Sequence, residues 1–132
     1  MKVVIDTNVF ISSFLNPHGN PKKIVDMWKD GHFILCITED IVFEYVEVLI
    51  RLGIPIGKIK ELTGLFKERA NVEFIMSIEK MEIIKDDPQD NKFIECAVTA
   101  NAQYIISGDR HLKALKSFGN IRILSPSEFL EL

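Results

Sequence analysis

Lys2-Val3-Val4-Ile5-Asp6-Thr7-Asn8 is the stretch on which the fold turns: three consecutive apolar side chains end on a carboxylate and two small polar residues. A strand with one wet face alternates apolar with polar. An unbroken run this short therefore reads as a strand covered on both faces, the mark of a parallel sheet. The apolar residues of 33–37, 104–107 and 121–124 likewise run on without clean alternation, and a fifth strand is expected near 82–84. Helical stretches with cap signals lie between them. Asn20-Pro21 opens one that Gly31 stops, Thr38 caps another that Gly53 stops, and a third runs from Pro55 to about residue 70. Asp87-Pro88 opens a fourth to about residue 101, and Ser125-Pro126-Ser127-Glu128 is a capping box for the last. The alternation predicts an α/β fold: a three-layer α/β/α sandwich around a central, mostly parallel sheet of four to five strands. Ligands of such a sheet bind outside the carboxyl ends of its strands.

Composition bounds what that fold can be. At 132 residues the chain is expected to form one domain over its whole length, and 47% hydrophobic residues exclude intrinsic disorder as its main character. No segment approaches the roughly 18 apolar residues of a membrane span, and the run Val3-Val4-Ile5 is too short for a signal peptide. Cys36 and Cys96 lack CxxC spacing, so neither a disulfide framework nor a zinc site is expected. Both read as small core residues of a cytoplasmic protein. The formal charge of −3 supplies no bulk basic field for nucleic acid.

The carboxylates are more telling. Asp6 directly follows the first strand, and Asp109 follows the strand at 104–107 after one glycine. Asp90 stacks above Ile94, Ala97 and Val98 at helical spacing, which turns it toward the core. On the helix from Thr38 only Glu44, Glu47 and Arg51 interrupt the apolar surface. Glu47 and Arg51 pair at i,i+4, leaving Glu44 free to turn inward. Each acid has a plainer reading as a helix cap, a first-turn charge or a solvated side chain. Converging at one sheet end, however, they would repel one another unless a cation neutralised them. Hard oxygen donors without Cys or clustered His favour Mg²⁺ or Mn²⁺, and the implied chemistry is metal-assisted hydrolysis or transfer at phosphorus.

Asp6-Thr7-Asn8 after a first strand, Glu44 on a helix, Asp87-Pro88-Gln89-Asp90-Asn91-Lys92-Phe93-Ile94-Glu95-Cys96-Ala97 and Ser107-Gly108-Asp109-Arg110-His111 together resemble a PIN domain. The resemblance is nearest to the stand-alone prokaryotic proteins grouped with VapC-type toxins of toxin–antitoxin pairs. It implies a Mg²⁺- or Mn²⁺-dependent endoribonuclease whose acidic quartet falls on Asp6, Glu44, Asp90 and Asp109, with Thr7, Asn8 and Ser107 at supporting polar positions. One or two ions are expected, with Glu44 binding a water or the second ion. One departure is His111, where many members carry a further Asp. It can weaken a second metal site, meet a phosphate or face solvent, and the last is preferred.

RNA must also meet positive charge, for which Lys22, Lys23, Arg110, Lys113 and Lys116 are the candidates nearest the strand ends. Two other readings compete: a receiver-type phosphoacceptor, which would need paired acids after the first strand, and a non-cleaving PIN-fold module that docks RNA or protein. The apolar helices at 38–52 and 54–66 suggest a homodimer interface, and the resemblance suggests a small antitoxin protein covering the site. With four of its nineteen acids assigned to one pocket, the rest of the chain carries fifteen acids against sixteen bases. Two divalent ions would then make the pocket formally neutral.

Overall fold

A computed structural model of the chain describes residues 1–76 and 91–132. The expected strand at 82–84, the Asp87-Pro88 helix start and Asp90 lie outside the described residues. The order is β1 (Lys2–Ile5), α1 (Thr7–Leu15), α2 (Asn20–Lys29), β2 (Ile34–Thr38), α3 (Glu39–Arg51), α4 (Ile56–Lys67) and β3 (Val72–Ile75). After the undescribed stretch come α5 (Asn91–Ala100), β4 (Tyr104–Ile106), α6 (Arg110–Leu115), β5 (Ser117–Phe118), β6 (Ile121–Leu124) and α7 (Pro126–Leu130).

The strands form one sheet in the order β3-β2-β1-β4-β6-β5, parallel throughout except for the β5–β6 pair. Val3, Val4 and Ile5 are all fully buried, as are Leu35, Cys36 and Ile37 in β2. Successive side chains on a strand point to opposite faces, so both faces are covered and the layers are helix, sheet, helix. The sheet has six strands among the described residues rather than four to five. The added ones are β3, whose residues are all half-buried, and β5, which is two residues long. β5 turns into β6 through Gly119-Asn120 with Gly119 at φ +59°, the pattern of a tight II′ hairpin.

The helix stops follow the expected chemistry, with Gly31 and Gly53 left-handed at φ +84° and +77°. Thr38 caps α3 through a hydrogen bond from the Ile41 N–H, and Ser125 with Glu128 closes the capping box of α7. Four helices are locked together by an aromatic cluster. Phe10 of α1 stacks on Tyr45 of α3 at 4.4 Å between centroids and lies 6.1 Å from Trp28 of α2, which lies 5.8 Å from Phe66 of α4. The Tyr45 hydroxyl donates to the Ile5 carbonyl, tying this cluster to the last residue of β1. Cys36 and Cys96 are free and buried. Among the described residues no helix is long and apolar enough to cross a membrane.

The strand order fixes where a ligand can sit. The chain leaves β1 toward β2 and β3, then returns to the other side of β1 with β4. The connections therefore diverge at the carboxyl ends of β1 and β4, opening a crevice there.

Candidate active site

Asp6 is the first residue after β1, and its N–H donates to the Ile106 carbonyl of β4 at 3.0 Å, stitching the two strand ends together. Its Oδ1 accepts from the Val9 N–H at 2.9 Å and so caps α1, while Oδ2 accepts from the Ser107 hydroxyl. Asp109 is built in the same way. Its Oδ1 accepts from the His111 and Leu112 N–H groups at 2.8 and 3.2 Å, capping α6, and its own N–H donates to Ser107 Oγ at 2.9 Å. Fully buried Ser107 thus bridges the two aspartates and fixes their spacing. Both acids cap a helix through Oδ1, as the plainer reading has it, and both also line one cleft. Among the described residues Asp109 Oδ2 accepts no hydrogen bond.

Glu44 reaches the same place from α3. The Thr7 hydroxyl donates to its Oε2, and the Lys92 ammonium of α5 donates to its Oε1 at 2.7 Å. Asp6, Thr7, Asn8, Glu44 and Asp109 line one open cleft of about 340 Å³, together with Glu47, Val48, Arg51 and Phe93. A second groove of about 590 Å³ shares Asn8 and Asp109 with it and extends past Gly108 and Arg110 to Pro21 and Pro126.

Electrostatics mark Asp6 as the strained member. Burial pushes its carboxyl up to about 6, against the pull of the Ser107 and Val9 hydrogen bonds, and the Asp109 and Glu44 carboxylates add to the push. A buried carboxylate disfavoured by two like charges gains most from a nearby cation. The donors are all oxygen, from three carboxylates with hydroxyls and an amide beside them, so the residues fit a hard divalent ion. Among the described residues no three acidic, His or Cys side chains cluster closely enough to enclose an ion by themselves. Asp90, the fourth expected acid, lies outside those residues.

Residues 2–111 match the model of the PIN domain family, a span that contains all four of these acids. The chain belongs to the PIN domain family. It is also 32% identical, over 99% of its own length and 90% of the relative's, to an uncharacterized protein of Methanocaldococcus jannaschii. PIN domains are generally nucleases and generally use divalent metal ions.

Of the residues expected at the site of this PIN domain, Asp6, Thr7, Asn8, Glu44 and Asp109 line the cleft, and the expected cations are spread more widely. Arg110 lies in the adjoining groove. Lys113 pairs with Glu128 at 3.7 Å, and Lys116 is exposed beyond α6. Lys22 is bound to Asp26 at 2.6 Å and lines a different groove between α1, α2 and α4, away from the acids, and Lys23 follows it on α2. The position of Lys22 follows from the i,i+4 spacing of the pair, which holds it along its own helix. His111 is half-buried, and its backbone N–H serves the Asp109 cap. Arg51, expected only to satisfy Glu47, lines the acid cleft, and the two approach to no closer than 4.0 Å. Lys92 was missed entirely. Its partner Glu44 lies 48 residues away in sequence, so no local spacing signals the contact.

Proposed function

We propose that this PIN domain is an endoribonuclease that hydrolyses RNA phosphodiester bonds with Mg²⁺ or Mn²⁺, and that Asp6, Glu44, Asp90 and Asp109 are its catalytic and metal-holding acids. The observation that carries the reading is the meeting of Asp6, Glu44 and Asp109 in one open cleft at the β1–β4 switch point, with the Asp6 carboxyl held near 6. Asp6 and Asp109 are fixed by their helix caps and by Ser107, so their oxygens would meet an ion without first being ordered. Thr7 holds Glu44 in register with them. A divalent ion, when bound, supplies the Lewis acidity that activates water and offsets charge on the phosphate oxygens. Arg51 in the cleft lining and Arg110 in the adjoining groove are suited to the phosphates flanking the bond that is cut.

Wild type is expected to cut structured RNAs in Mg²⁺ or Mn²⁺, leaving 5′-phosphate and 3′-hydroxyl ends, and to stop in EDTA. Failure on every RNA tried with Mn²⁺ present would sink the reading and leave a PIN fold that docks RNA or protein without cleaving.

The toxin role, with an antitoxin protein covering the cleft, rests on the motif resemblance alone. A homodimer has separate support. Phe43 and Ile50, 62% and 57% exposed, lie seven residues apart on one face of α3, and Leu52 at the end of that helix and Ile56 at the start of α4 are 51% and 62% exposed. Light scattering is expected to give twice the chain mass. A monomer at high concentration refutes the interface.

A further inference from the structure

The Lys92–Glu44 pair differs from an ordinary surface ion pair. Its partners are 48 residues apart in sequence, their side chains are only 16% and 28% exposed, and Nζ sits 2.7 Å from Oε1. Exposed pairs wander and contribute little, whereas a withdrawn ammonium on a carboxylate of the acid cleft is a fixed charge. The Thr7 hydroxyl takes the other oxygen, so both oxygens of Glu44 have a donor and, unlike those of Asp6, one of these donors is a cation. A second divalent ion bound at Glu44 would have to displace the ammonium or sit against it, like charge to like charge.

Charge balance points the same way. Asp6, Glu44 and Asp109 with Lys92 carry two net negative charges, and Glu47 and Arg51 at the rim cancel. One divalent ion neutralises that set. A second would leave the cleft at +2, or at +1 with the charge of Asp90, against neutral or −1 for one ion.

We propose that the Lys92 ammonium, seated on Glu44, is a resident cation in the place a second divalent ion would take, so that the cleft binds one divalent ion through Asp6 and Asp109. Lys92 is then a positioning residue that sets the ion count. The proposal rests on the nuclease reading of this cleft and revises it at one point: Glu44 serves as the seat of Lys92 and holds no ion directly.

Calorimetric titration of the full chain with Mn²⁺ alone, without RNA, tests it. Wild type is expected to bind one ion, Lys92→Met two, and Lys92→Arg, which keeps the charge, one. A purely structural tie between α3 and α5 would lower the melting temperature of Lys92→Met without changing its ion count. Two ions in wild type, or one in a folded Lys92→Met, overturn the proposal and leave the nuclease reading standing. No Mn²⁺ bound by wild type overturns both. The wild-type count needs no variant, so two ions there overturn the proposal even where Lys92→Met fails to fold.

Discussion

Asp6→Asn is expected to remove cleavage and, in the metal-free protein at pH 8, to raise stability. The two effects have one cause. The Asp6 carboxyl is 3% exposed and titrates near 6 in the fold against an ordinary 3.8, because burial and the neighbouring Asp109 and Glu44 carboxylates disfavour its charge. A carboxyl raised on folding contributes stability that is complete below its unfolded value and is lost as pH rises through its folded value. Above pH 6 the ionised form therefore costs about 3 kcal/mol on the scale of 1.36 kcal/mol per pH unit. Asparagine cannot ionise. It keeps the Oδ1 that accepts from the Val9 N–H, and its amide can donate to the Ser107 hydroxyl, so most of the local hydrogen bonding survives. Cleavage should fall by more than about a hundredfold, because even partners that only orient a metal's ligands are worth about 10–100-fold. Urea unfolding in EDTA at pH 8 and an RNA cleavage assay read the two effects. A variant less stable than wild type would show that Asp6 is chiefly a structural cap, and one that still cuts would remove it from the site.

That balance of stability against function also explains what could be read from sequence. β1, β2 and β4 announced themselves because both their faces are covered, which forces unbroken apolar runs such as Tyr104-Ile105-Ile106, and β6 did so through buried Ile121, Ile123 and Leu124 despite exposed Arg122. β3 did not. Among the described residues it lies at the sheet edge with every residue half-buried, so Glu73 interrupts its run, and the turn leading into it places Arg69 and Asn71 in left-handed conformations where a glycine would have marked the break. The site divides along similar lines. Asp6 and Asp109 were legible because residues at strand ends are positioned by topology alone, and Glu44 because it bordered an apolar face. Lys92 and the hydroxyl of Thr7 meet Glu44 through tertiary contacts from other elements. No local spacing encodes a contact 48 residues apart. The four-acid count that made two divalent ions look balanced omitted this lysine.

Mn²⁺ is expected to raise the melting temperature strongly at pH 8 and weakly at pH 5. An ion that binds only the folded chain stabilises it by about 2.7 kcal/mol at a hundred times its Kd, on the order of 10 °C for a domain of this size. At pH 8 Asp6 is ionised, and the ion meets the charge that burial penalises. At pH 5, below the value near 6, most Asp6 is protonated, and the ion must displace a proton before it binds. Proton and metal thus compete for one buried oxygen pair, and the order of stability reverses with the medium. Without metal the contribution of Asp6 favours the folded state more at pH 5 than at pH 8. With metal the dependence on Asp6 runs the other way. Scanning calorimetry at both pH values, with EDTA and with saturating Mn²⁺, reads this directly in wild type and Asp6→Asn. An equal Mn²⁺ shift at pH 5 and pH 8, or an undiminished shift in Asp6→Asn, would place the ion elsewhere. A shift that vanishes with the Asp6 charge ties the ion to the carboxylate at the end of β1, where the strained charge already lies.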